Sequence, residues 1–224
     1  MAFDPVFFLL GLSVNGMIAS GDFTNIATNN AADGVYTLDG VPCTIGDIID
    51  LEDPANQFDP LTDIDAGGIK PSHDGGGYHT RILRVQPSLV ASLVSGGFTL
   101  VLKGYTGTSF SLGIVPANSD ISIYSQVQVT TSSTQLNATD LAQSNFPNDF
   151  TDDQAVVLAM TFTEDRLSLS VNGGDTESFP HPAIDPAMVL IEMSFQSGTG
   201  DGRFRSFAFY EVIADAELPL LSAL

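Results

Sequence analysis

Residues 155–174 read AVVLAMTFTEDRLSLSVNGG, and this stretch decides the fold. Leu158, Met160 and Phe162 recur with period two, which puts them on one face of an extended strand. Glu164-Asp165 supplies a tight turn. Leu167, Leu169 and Val171 then alternate with Ser168 and Ser170 on the way back. Asn172-Gly173-Gly174 permits positive φ and a sharp exit. The pattern is that of a β-hairpin with one apolar face.

The same period extends outward on both sides. In GGFTLVLKGYTG, residues 96–107, Phe98, Leu100 and Leu102 share one face, with Thr99, Val101 and Lys103 on the other. YHTRILRV (78–85), SFSLGIV (109–115) and AMVLIEMSFQS (187–197) are further strands. In DISIYSQVQVTTSS (120–133), Ile121, Ile123, Val127 and Val129 alternate with polar residues. PSLVASLV (87–94) is a short helix or a turn. RFRSFAFYEV (203–212) predicts a strand with Arg205, Phe207, Phe209 and Glu211 on one face. Phe204 and Tyr210 lie on the other, so both faces are covered. ADAELPLLSAL ends in one short helical turn, with Asp215 as its cap and Pro219 limiting it.

Composition agrees. The chain has 224 residues, 43% of them hydrophobic and 15% charged, enough to bury the core of one large domain. Its 21 Gly and 12 Pro punctuate many short strands. The fold class is therefore all-β, a two-sheet antiparallel β-sandwich. Residues 1–19 are expected to form an apolar N-terminal anchoring segment and residues 20–224 the sandwich, with 96–218 as its best-defined core. Within it, 20–75 is rich in Asp, Asn, Gly and Pro and holds long connections and short strands.

The order of these pieces resembles the concanavalin A-like, laminin-G-like jelly roll. The residues that carry the resemblance are the strand GGFTLVLKG, the hairpin ending in Asn172-Gly173, and the closing Gly200-Asp201-Gly202, RFRSFAFYEV and IADAEL. It covers residues 96–218. It implies sugar binding as a function, and calcium as a cofactor held at the sandwich rim by carboxylates and carbonyls. Asp175 and Asp201, with Asn172, stand in expected loops and are the candidates. For a sugar, Tyr78 and Tyr105 are the side chains to consider, since the chain has no Trp and its 15 Phe belong to the core.

Charge excludes some classes. The net charge is −20, and the first basic side chain is Lys70. Such a surface repels nucleic acid and anionic membranes. It keeps a β-rich surface soluble and discourages pairing of sheet edges. A single cysteine, Cys43, excludes an internal disulfide and suits a small buried hydrophobe. The apolar run Val6–Leu12 is too short to span a membrane, and Asp4-Pro5 stands where a signal peptide carries positive charge. Phe3, Val6, Phe7, Phe8, Leu9 and Leu10 are instead expected to dock on the core or on a partner.

Catalytic constellations are sparse. Glycoside hydrolysis needs two carboxylates about 5–10 Å apart. No strand carries acids at i and i+2 or i+4, and Glu192 stands alone. The serines lack a G-x-S-x-G elbow, and Cys43 has no recognisable His partner. His73, Asp74 and His79 in HDGGGYH match a metal set in residue type, but the stretch reads better as a flexible Gly-rich turn leading into YHTRILRV. Asp53, Asp59, Asp63 and Asp65 form a cation loop or a solvated connection.

Three functions follow from the sequence. The first is a non-enzymatic phage virion structural protein: a capsid decoration, head spike or tail appendage. It would stand on the virion surface as a homo-oligomer, held to other virion proteins by its N-terminal segment. The alternative is a carbohydrate-binding module contacting host surface polysaccharide. A glycoside hydrolase is disfavoured by the missing carboxylate pair. The anchoring expectation has a direct check. Deletion of residues 2–12 should leave the circular dichroism of a folded β-sandwich while abolishing assembly in light-scattering chromatography.

Overall fold

The computed structural model describes residues 17–30, 35–38, 41–47, 64–66, 68–69, 80–85, 96–105, 109–116, 125–129, 133–138, 144–147, 154–180, 189–196 and 203–223. They form an all-β sandwich of antiparallel strands, as the alternating pattern requires. In chain order the strands begin with β1 (Met17–Asp22), β2 (Ile26–Asn30), β3 (Val35–Leu38), β4 (Val41–Asp47), β5 (Ile64–Asp65) and β6 (Gly68–Ile69). Next come β7 (Thr80–Val85), β8 (Phe98–Tyr105), β9 (Ser109–Pro116), β10 (Ser125–Val129), β11 (Ser133–Ala138) and β12 (Ser144–Pro147). The last are β13 (Ala155–Phe162), β14 (Arg166–Val171), β15 (Glu177–Pro180), β16 (Val189–Gln196) and β17 (Arg203–Tyr210).

One sheet runs β15-β14-β13-β8-β17-β6-β5, with β1 also on β17; the other runs β12-β11-β10-β9-β16-β7-β4-β3-β2. The acid-rich early region thus contributes strands to both sheets. β1 crosses the boundary drawn at residue 19, because Met17 and Ala19 already pair with Tyr210 and Phe209. Residues 1–16, PSLVASLV, and Ile121 and Ile123 lie outside the described residues.

In the first sheet, β13 and β14 form the hairpin read from the sequence, with Met160 opposite Leu169 and Phe162 opposite Leu167. The turn closes with Thr163 N–H donating to the Arg166 carbonyl at 2.9 Å. β8 pairs with β13 and places Leu100 beside Met160. On β8 and β13 the inner face is buried, with aromatic rings at its centre. Phe98 lies 5.6 Å from Phe162 and 6.0 Å from Phe209, centroid to centroid. Phe207 links Phe209 at 5.5 Å to Phe23 at 5.6 Å. These offset and edge-on contacts are the favoured ring geometries.

The outer face is also buried, as expected for β17 from its aromatics on both faces; for β14, alternation with Ser168 and Ser170 did not suggest it. Val101, Val157 and Ala159 pack with Tyr210, Ile213, Leu218 and Leu221. After β17 the chain folds back across the sheet as a clip made of a 3-10 turn, Asp215–Glu217, and a short helix, α1 (Leu218–Leu221). The expected helical turn exists, but its details differ. Asp215 is not its cap: the cap of the 3-10 turn is Ala214, and Asp215 Oδ2 pairs with Arg166 at 3.2 Å. Pro219 does not limit α1 but stands in its first turn, where a missing N–H and a fixed φ cost nothing.

Two hydroxyl networks fasten the clip. Ile213 N–H donates to Thr99 Oγ1 at 2.9 Å, and Thr161 Oγ1 donates to the Ile213 carbonyl at 3.2 Å. The Thr161 proton is thus used, so Thr99 Oγ1 donates to Thr161 Oγ1 at 2.7 Å. The ring is closed, and both backbone groups of a buried crossing residue are satisfied. Further along, Ser170 Oγ donates to the Gly174 carbonyl at 2.6 Å, which leaves Ser222 Oγ as donor to Ser170 at 2.8 Å. Ser222 Oγ in turn accepts the Gly173 N–H at 2.9 Å.

Two substitutions check this architecture by chemical denaturation. Thr99→Val keeps shape but strands the Ile213 N–H, so unfolding free energy should fall by about 1–3 kcal/mol. Gly96 and Gly97 both have φ near +117, yet a Cβ at Gly97 would overlap the Phe162 carbonyl oxygen while Gly96 faces open space. Gly97→Ala should therefore lower the denaturation midpoint much further than Gly96→Ala.

Candidate functional site

The clip stops short of one end of the sheet. Its apolar contacts reach Val157, and beyond that lies the row Ala155–Tyr105–Arg203. Adjacent to it is the row Val157–Lys103–Ser206–Asp22. Tyr105, Lys103 and Arg203 are each half-buried. Directly opposed residues on one face have Cβ atoms about 5 Å apart, so the Arg203 side chain starts beside the Tyr105 ring. Lys103 stands two residues along the same strand face, about 7 Å away.

Arg203 reaches this face through a β-bulge. The ladder between β17 and β8 shifts between Phe204 and Ser206. Strict alternation would group Arg203 with Phe207 and Phe209 on the inner face. The extra residue reverses the phase, so Arg203 shares the outer face with Ser206, Ala208 and Tyr210. It also brings position 204 into phase with Phe207 and Phe209, which corrects the grouping of Phe204 with Tyr210. Arg205 is the bulged residue. Its Nη2 lies 3.4 Å from Asp22 Oδ2, and its Nη1 donates to the Ala66 carbonyl at 2.9 Å. Asp22 Oδ1 accepts from Thr24 N–H and Oγ1 at 2.9 and 2.7 Å. The bulge is thus braced from β1 and from the turn after β5.

The other sequence candidates fall elsewhere. Asn172 stands at φ 49° and its Oδ1 accepts the Val157 N–H at 2.8 Å. Its own N–H donates to the Val157 carbonyl at 2.9 Å, so both groups clamp the end of the hairpin. Asp175 is exposed in the loop that follows. Among the described residues, no three of His, Cys, Asp and Glu converge in a metal-binding group. Glu192 lies on β16 with Arg84 and Gly113 as ladder partners. Cys43 is paired with Tyr36 and Val85 on β4. Tyr78, Asp201, His73, Asp74, His79, the acids of 53–63 and the anchoring residues Phe3, Val6, Phe7, Phe8, Leu9 and Leu10 lie outside the described residues; Asp65 ends β5. Among the described residues no helix is long and apolar enough to cross a membrane.

Lys103 and Arg203 were not singled out from sequence. The two arginines of RFR were visible, but the bulge that turns one of them toward Tyr105 is a tertiary feature.

No protein-family profile matches the sequence, and no curated protein does. Solved structures do match in fold. A sialidase from Trypanosoma rangeli, in complex with 2,3-difluorosialic acid, aligns at TM-score 0.57 and 12% identity over 97% of this chain and 35% of its own. The receptor-binding domain of a mosaic C/D botulinum neurotoxin aligns at 0.53 and 10% identity, over 93% of this chain and 51% of that one. A galectin from Caenorhabditis elegans aligns at 0.42 and 17% identity, over 52% and 84%. The likeness is one of fold. This chain spans about half the length of the neurotoxin domain and about a third of the sialidase.

The clamp role of Asn172 is testable. Asn172→Ala removes both the side-chain acceptor and a residue tolerant of positive φ, and should lower unfolding free energy by about 1–2 kcal/mol. Asn172→Gly, which keeps the backbone freedom, should lose less in the same titration.

Proposed function

We propose that the chain is a non-catalytic, carbohydrate-binding β-sandwich, with the Tyr105 row as its binding face. One observation carries this reading: a half-buried tyrosine sits on the outer face of the sheet where the clip ends, flanked by polar side chains on the same face. An aromatic body beside fixed hydrogen-bonding groups suits a sugar, which offers an apolar C–H face and a rim of hydroxyls. The fold neighbours support the reading by analogy, since they include a sialidase in complex with a sialic acid derivative and a toxin receptor-binding domain.

This reverses the order of the two sequence-based readings. The phage virion role draws no support from the fold or its neighbours, and a virion location stays an expectation from sequence. The two remain compatible, because a displayed sandwich can bind glycan.

The test is a broad glycan array followed by titration calorimetry. Saturable binding should appear and should weaken at least tenfold in Tyr105→Ala, with the thermal midpoint of the variant near that of the parent. Release of reducing sugar from bound glycans should stay at the no-protein background. A flat array would remove the reading, and product release would remove its non-catalytic part.

A further inference from the structure

The exit of the β13–β14 hairpin carries chemistry that a binding role does not use. The chain holds two Asn-Gly pairs, at 15–16 and 172–173. Such a pair is labile in water, because glycine puts no Cβ in the way when its own backbone nitrogen attacks the side chain before it.

At 172–173 both reacting groups are held. Asn172 at φ 49° and Gly173 at φ 74° form a tight turn, closed by Gly174 N–H donating to the Val171 carbonyl at 2.9 Å. The electrophile, Asn172 Cγ, is anchored through Oδ1, which accepts the Val157 N–H of β13 at 2.8 Å. The nucleophile is the Gly173 nitrogen, and its N–H donates to Ser222 Oγ at 2.9 Å. Ser222 belongs to the clip, is buried, and is itself bonded to Ser170 at 2.8 Å. A Cβ at Gly173 would lie 3.6 Å from both the Pro219 carbonyl oxygen and Ala223 Cα, so the end of the clip rests on this residue. Gly173 is nevertheless exposed and Asn172 half-buried, so water and hydroxide reach the turn.

We infer that Asn172-Gly173 is a site of spontaneous deamidation latched by the clip. Opening of the last turn of the clip releases the Gly173 N–H, and fraying of the hairpin exit releases the Asn172 side chain. Hydroxide then takes the Gly173 amide proton. The nitrogen bonds to Asn172 Cγ, the Cγ–Nδ2 bond breaks, and ammonia leaves with a proton from water. Water opens the resulting succinimide at either carbonyl, to aspartate or isoaspartate. Nothing is oxidised or reduced, and water is the only co-reactant. Isoaspartate carries the main chain through Cβ and Cγ, so the backbone at the turn is longer and its native hydrogen bonds no longer fit together. Water does not reverse the change, and the site therefore records how often the clip has opened.

The experiment holds the full chain at mildly alkaline pH, below its thermal midpoint, beside a free peptide of residues 167–178. Peptide-mapping mass spectrometry follows aspartate and isoaspartate at position 172, and amide hydrogen exchange follows Gly173. Asn172 should be modified at least about tenfold more slowly in the folded chain than in the peptide. Ser222→Ala should raise the rate in the folded chain severalfold while its thermal midpoint stays above the incubation temperature. Equal rates in the folded parent and the peptide would overturn the latch. A parental rate in folded Ser222→Ala would overturn the part played by the clip. Should that variant not fold, the parent decides alone: on warming, modification should climb in step with Gly173 exchange. Modification that stays flat while Gly173 exchange rises would overturn the inference.

Discussion

The central constraint is that β8 and β13 are buried on both faces. Their inner face holds the phenylalanine cluster, and their outer face holds Val101, Val157 and Ala159 with two threonines among them. A sheet of this kind needs a cover, and the cover must be chain whose own backbone is satisfied there. Thr99 and Thr161 solve both problems. They accept and donate at one residue, Ile213, where the clip crosses, and they bond to each other. A valine pair at those positions would pack as well but would leave two buried backbone groups unmet. The hydroxyls therefore position the clip, and the clip covers the outer face from Val101 and Ala159 to Val157.

The remaining polar contacts follow the same division. Ser170 and Ser222 hold the far end of α1 to the hairpin exit. Thr176 Oγ1 donates to the Asp215 carbonyl at 2.7 Å, and Arg166 meets the Asp215 carboxylate. The exposed ion pair adds little on its own. The buried hydroxyl bonds place the segment.

Much of the architecture was legible because it is local. The hairpin, its two-residue turn, the exit at Asn172-Gly173, and the strands at 98–105, 189–196 and 203–210 all follow from period two and turn chemistry. What escaped depends on contacts between distant residues. Thr99, Thr161, Ser168 and Ser170 look solvated in sequence, since alternation reports a polar side chain and not what later covers it. Asp215 resembles a helix cap, but Arg166, 49 positions earlier, takes its carboxylate. The bulge at Arg205 has no local signature, so the face of Arg203 could not be assigned. Tyr105 was visible as a candidate, whereas its cationic neighbours were not.

The clip also orders events in time. During synthesis β8, β13 and β14 emerge well before residues 211–223. Until those residues follow, Val101, Val157 and Ala159 have no cover on their outer face. A nascent chain at that stage carries an apolar surface that invites association with other chains or with a holding chaperone. Completion requires contacts such as Thr99 to Ile213, 114 positions apart, so closure of the sheet is a late step governed by long-range search. The feature that seals the mature sandwich is thus also the one that leaves its precursor most open to aggregation.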